Sequence, residues 1–153
     1  MVDLGDFAPD FKLLNASGKI IQLHDLKGKK IVLYFYPKDD TSGCTAEALD
    51  FTAHRRAFEK AGARIIGISP DSVKSHKKFI DKHNLGIELL SDDKKQVVTD
   101  YGVWVEKSMY GRKYMGVERS TFLLGPDGKI MNLWRKVKVK GHIEAVLEAI
   151  KNA

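Results

Sequence analysis

A single cysteine, Cys44, and four prolines stand in 153 residues. One thiol cannot form an internal disulfide, so the fold must be held by its core, as in proteins of a reducing compartment. Long apolar runs are also missing. The longest, Ile31 to Tyr36, falls far short of the roughly 18 residues a membrane helix needs. Met1 to Asp10 carries three acids and no base, which is not the pattern of a secretory leader, so export is not expected. No block of like charge occurs. The net charge is +6, but the basic residues are scattered and accompany no nucleic-acid motif, so neither nucleic acid nor membrane is an expected partner. Lys136, Lys138 and Lys140 alternate, which on a strand would line one solvated edge. The five histidines lack tight ligand spacing; exposed or capping roles are expected for each, with no metal and no organic cofactor. Repeats, low-complexity tracts and linkers are absent, which predicts one domain over residues 1–153.

A 43% hydrophobic content suffices for a packed core, and its periodicity sets the elements. Phe11–Leu14 and Ile20–Leu23 flank Asn15–Lys19 as an N-terminal β-hairpin. Ile31–Tyr36 predicts a central strand buried on both faces. A helix follows from about Cys44 to Ala61, with Ala48, Phe51 and Phe58 on its apolar stripe and Gly62 ending it. Arg64–Ser69 is a second buried strand, and Asp71 offers an N-cap for a helix to about Asn84. Glu88–Leu90 leads to a helix over Asp93–Tyr101. The region around Gly111 and Gly116 reads as a polar loop. Ser120–Leu124 and Lys129–Trp134 join through Gly125-Pro126-Asp127-Gly128 as a hairpin. Ile143, Val146, Leu147 and Ile150 mark a closing amphipathic helix. The order, a β-α-β-α unit and then an antiparallel pair, predicts an α/β fold of thioredoxin-like architecture: a mixed central sheet flanked by helices.

Cys44 falls just beyond the central strand, at or within the first turn of the next helix. There, free amides and the helix dipole stabilise an anion, and the thiolate is the nucleophilic form of cysteine. The plain alternative is a small buried hydrophobe. Thr41 either caps the helix or donates a hydrogen bond toward sulfur. Pro37 stiffens the strand end or merely terminates it. Glu47, placed in the first turn, suits the dipole.

The run Phe35-Tyr36-Pro37-Lys38-Asp39-Asp40-Thr41-Ser42-Gly43-Cys44-Thr45-Ala46-Glu47 resembles the peroxiredoxin active-site motif, in its bacterioferritin comigratory protein or Q-type form. The resemblance extends through Gly5–Phe11, Gly67–Ser72 and Glu118–Leu123. It implies a thiol peroxidase that reduces hydrogen peroxide and organic hydroperoxides to water or alcohol. Cys44 would be the peroxidatic cysteine, Thr41 the hydroxyl that orients peroxide, Pro37 a shield over the pocket and Arg119 the guanidinium beside the sulfur. Arg135 is a weaker candidate for the same charge network.

Two departures from that family matter. Many Q-type relatives carry a resolving cysteine five residues after the first or on the next helix, places held here by Leu49 and about Ile80. Whether lost in descent or replaced, no second thiol is present, so an external thiol must complete a one-cysteine cycle; thioredoxin, glutaredoxin or a small thiol could serve. Ser42 also replaces the proline usual before Gly43, which would loosen the loop slightly. The expected setting is a cytoplasmic monomer. Competing readings are a thioredoxin-type disulfide reductase, which needs a second cysteine where Thr41 stands, and a non-enzymatic binding or chaperone protein on the same scaffold.

Overall fold

A computed structural model of the protein describes residues 2–153. Strand β3 (Lys30–Phe35) forms because its five consecutive apolar and aromatic side chains, Ile31 to Phe35, continued by Tyr36 just past its end, can be buried alternately above and below a sheet. Val32, Tyr34 and Tyr36 face one core layer, while Ile31, Leu33 and Phe35 face the other. Around it are β1 (Lys12–Asn15), β2 (Ile20–Gln22), β4 (Ala63–Ser69), β5 (Glu88–Ser91), β8 (Ser120–Leu124) and β9 (Ile130–Trp134). The seven-stranded order is β2-β1-β5-β4-β3-β8-β9. The β3–β4–β5 centre is parallel, and β1–β2 and β8–β9 complete it antiparallel. This is the mixed thioredoxin-like sheet anticipated above, N-terminal hairpin included.

Helices α1 (Ser42–Lys60), α2 (Val73–His83) and α4 (His142–Lys151) contribute to the layer of Tyr34 and Tyr36, whereas α3 (Gln96–Asp100) packs on the other. Phe51 and Phe58 of α1 are fully buried, each contributing about 2 kcal/mol by removal of apolar surface from water. Phe51 stacks on Tyr34 with ring centroids 4.6 Å apart, which fixes the rotation of α1 over the sheet. Gly67 makes room for the Tyr34 ring: a Cβ there would lie 2.7 Å from Tyr34 Cζ and 2.8 Å from Leu89 Cδ2.

Several expectations change. The supposed polar loop near Gly111 and Gly116 is a two-stranded hairpin, β6 (Trp104–Met109) and β7 (Arg112–Val117). Its strands are largely exposed and so lack an apolar rhythm, and its turn uses Tyr110-Gly111, both at positive φ (52° and 78°), rather than the familiar Asn-Gly. Ser72, not Asp71, caps α2, accepting from the Ser75 amide at 3.1 Å. Helix α3 is shorter than Asp93–Tyr101. β2 stops at Gln22, and Leu23 enters a 3₁₀ turn. Lys136, Lys138 and Lys140 do not share a strand, because β9 ends at Trp134 and Lys136 turns to φ 50°. Among the described residues no helix is long and apolar enough to cross a membrane.

Candidate active site

β3 delivers the chain to the carboxyl end of the sheet, where a loop from Pro37 to Thr41 enters α1. Thr41 is the N-cap residue in extended conformation, and α1 starts at Ser42. Cys44 therefore lies in the first turn, where the amides of Ser42, Gly43 and Cys44 have no intrahelical acceptor. Its side chain is only 2% exposed. Arg119 occupies the two-residue joint between β7 and β8. Because Ser120 pairs with Phe35, that joint sits just past the end of β3. Two residues 75 positions apart thus meet: Arg119 Nη2 donates to Cys44 Sγ at 3.2 Å.

The other arm of the guanidinium, Nη1, donates to Glu47 Oε1 at 2.7 Å. Cys44 and Glu47 are three residues apart on α1, hence on one face, and the planar fork spans both. Glu47 was expected in the first turn as a partner of the helix dipole; because α1 already starts at Ser42, it falls in the second turn instead, and it is fully buried. Burial pushes its carboxyl up to about 7, against the charge and hydrogen bond of Arg119. Burial also works against the Arg119 charge, yet Glu47 and Cys44 beside it leave the guanidinium harder to deprotonate than usual. The signal for Glu47 was available, since it falls on the stripe Cys44, Glu47, Ala48, Phe51, Phe58 that α1 buries. Gly43 admits the arginine: a Cβ there would stand 3.2 Å from Arg119 Nη2.

Thr41 is exposed, and its hydroxyl donates to Lys38 O at 2.8 Å, so it makes no side-chain cap. Pro37 is half-buried at the end of β3. Arg135 is not in this network; its Nη2 donates to Val2 O at 3.2 Å and its guanidinium lies over the Phe122 ring. Leu49 is 42% exposed on α1 and Ile80 packs on the core from α2.

Two histidines depart from the expected exposed or capping roles. His76 is fully buried. Its Nε2 meets Leu90 O at 2.9 Å and its Nδ1 meets Asp39 Oδ2 at 2.7 Å; a carbonyl only accepts, so Nε2 carries hydrogen and Nδ1 shares a proton with the carboxylate. Asp39 also accepts from Tyr36 Oη at 2.6 Å and Ser75 Oγ at 2.7 Å, while its amide donates to Asp71 Oδ2 at 2.8 Å. Asp39, Asp71 and His76 are close enough to hold an ion, but these hydrogen bonds already engage their ligand atoms. His142 is buried beside Thr121, its Nε2 2.8 Å from Oγ1. Burial, then the Arg119 charge, pushes this imidazole down to about 4, so it is neutral near pH 7. A cavity of about 200 Å³ beside Phe7, Ile31 and Leu124 lies at the opposite end of β3 and does not touch Cys44.

A buried thiol at a helix start, bridged by arginine to a buried glutamate, is a constellation for nucleophilic redox chemistry. The chain belongs to the AhpC/TSA family, whose model matches residues 4–133. It is 48% identical over 151 residues to the peroxiredoxin Bcp of Bacillus subtilis, covering 99% of this chain and 96% of that protein. A structure of the Xanthomonas campestris bacterioferritin comigratory protein, studied for its alkyl peroxide reduction, superposes with a TM-score of 0.89 at 47% identity over 93% of this chain and 90% of that one. A cysteine variant of Xylella fastidiosa PrxQ gives 0.94 at 38% identity, over 99% and 97%. Within the family this is a peroxiredoxin of the Bcp/PrxQ type, a thiol-dependent peroxidase.

Proposed function

We propose that Cys44 is the nucleophile of this peroxidase, and the observation that carries the assignment is the 3.2 Å approach of Arg119 Nη2 to its sulfur. The Cys44 thiolate attacks one oxygen of hydrogen peroxide or an organic hydroperoxide in line with the O–O bond. A Cys44 sulfenic acid forms, and the other oxygen leaves as water or alcohol after taking a proton. Arg119, a permanent cation, favours the thiolate and the charge that moves onto the leaving oxygen. Glu47 holds the guanidinium in place. Thr41 orients the peroxide through its hydroxyl, whose oxygen can accept from the substrate while its hydrogen is committed to Lys38, and Pro37 shields the pocket from bulk water.

With no second cysteine in the sequence, the sulfenic acid is resolved by an external thiol in a one-cysteine cycle. The same reading has residues 1–153 act as one domain, as a cytoplasmic monomer, without nucleic acid, membrane, metal or organic cofactor. The test is hydrogen peroxide consumption with dithiothreitol by the wild type and by Cys44→Ser. Loss of consumption to the uncatalysed rate is expected, and equal consumption by the two proteins would remove Cys44 from the chemistry.

A further inference from the structure

The β6–β7 hairpin leaves the main sheet beside Arg119, and its two faces differ in charge. Cross-strand partners share a face, so the register places Trp104, Glu106, Ser108, Lys113, Met115 and Val117 on one side and Val105, Lys107, Met109, Arg112, Tyr114 and Gly116 on the other. The first face is anchored and balanced: Trp104 and Val117 pack on the core, and Lys113 pairs with Glu106 at 3.7 Å. The second face carries two cations and no acid, and among the described residues neither Lys107 nor Arg112 forms an ion pair. Met109 and Tyr114 stand between them, 56% and 44% exposed. This face also belongs to the active-site surroundings. Burial and the Arg119 charge lower the Lys107 ammonium, and Cys44 and Glu118, the latter just past the end of β7, act on it in the opposite sense.

We infer that the face bearing Lys107, Met109, Arg112 and Tyr114 docks the protein dithiol that reduces oxidised Cys44, a partner whose reactive thiol is rimmed by acidic residues. This rests on the peroxidase reading, which requires an external reductant. An exposed two-stranded face offers no enclosure for a small thiol but suits a protein, for which two cations around exposed Met and Tyr supply steering and an apolar anchor. Docked there, the partner's first thiol attacks the Cys44 sulfenic sulfur, forming a mixed disulfide and releasing water. Its second thiol then displaces Cys44, which leaves as thiolate and regains its proton, while the partner departs as an intramolecular disulfide. Two electrons pass from the partner dithiol to the sulfenic acid.

The experiment compares peroxide turnover driven by a bacterial thioredoxin with its NADPH-dependent reductase against turnover driven by dithiothreitol. The proteins are the wild type, Arg112→Glu, Met109→Ala/Tyr114→Ala and, on the opposite face, Lys113→Glu. Arg112→Glu is expected to raise the KM for thioredoxin about ten-fold and to weaken its salt dependence, as loss of a steering charge does. The double variant raises KM likewise, Lys113→Glu leaves it unchanged, and dithiothreitol turnover is the same in all four. Unaltered thioredoxin KM in both second-face variants would overturn the docking surface. So would a parallel fall with dithiothreitol, an equal effect of Lys113→Glu, or a wild type that thioredoxin cannot reduce although dithiothreitol can. A wild type inactive with both reductants would instead refute the peroxidase reading.

Discussion

At the scale of single residues, the site depends on how closely one guanidinium can lie against the start of a helix. Gly43 supplies the space, since a methyl group there would be 3.2 Å from Arg119 Nη2, tighter than ordinary van der Waals contact. Arg119 cannot simply retreat, because Nη1 is held by Glu47 at 2.7 Å. Gly43→Ala should therefore push the arginine off the sulfur and slow peroxide reduction. The same change lowers the backbone entropy lost on folding and favours the helix by about 0.5–1 kcal/mol. A variant at least as stable in urea but several-fold slower with peroxide is the expected outcome. Wild-type peroxide rates in Gly43→Ala would show that the close approach has no part in the reaction.

At the scale of elements, the loop that carries Thr41 is tied down by two consecutive aspartates that both reach α2. Asp39 binds His76 and Ser75 in the buried network, and Asp40, at φ 60°, accepts from Lys82 at 2.7 Å and His83 at 2.8 Å on the surface. These hydrogen bonds hold the Asp40 carboxyl below its usual range, but exposure and salt weaken what they contribute. The buried tie is different. Asp39→Asn leaves the His76 Nδ1 without its carboxylate in a site closed to water, at a cost of about 3 kcal/mol. Urea unfolding should show that loss for Asp39→Asn and a much smaller one for Asp40→Asn. Equal stabilities of the two variants would mean that the loop is held by something other than the His76 contact.

At the scale of the whole molecule, stability against pH carries two opposed contributions from the same layer. Glu47 rises from 4.5 to about 7 on folding, so between those values the folded protein binds more protons than the unfolded chain, and stability falls as pH rises. The size is on the order of 3 kcal/mol. His142 falls from 6.5 to about 4. In that window the unfolded chain binds more protons, and stability rises with pH, lost again as pH drops toward 4. From about 4.5 to 6.5 the two slopes offset each other. Urea unfolding from about pH 4.5 to 8 should therefore find the wild type nearly flat up to about 6.5. Glu47→Gln should climb with pH over that range, and His142→Gln should decline. Parallel profiles for all three proteins would exclude these groups as the source.

What could be seen in the amino-acid order was whatever is encoded by near neighbours. β3 was legible because the six apolar and aromatic side chains of Ile31–Tyr36 stand in a row, the α1 face because Ala48, Phe51 and Phe58 repeat at helical spacing, and the Gly125–Gly128 turn because Pro, Asp and Gly preset its backbone. The place of Cys44 followed from strand and helix boundaries alone. The β6–β7 hairpin was hidden because exposed strands need no alternation of apolar and polar residues. The burial of His76 and His142 was hidden too, as was the arginine that meets Glu47, because the partners Asp39, Thr121 and Arg119 lie 37, 21 and 72 residues away. A charged or polar side chain enters a core only where a partner offsets its lost hydration. Sequence by itself determined the sheet, the helices and the thiol at a helix start; only tertiary structure decided which polar groups would meet, because contact across the fold depends on how the strands are ordered and not on any spacing along the chain.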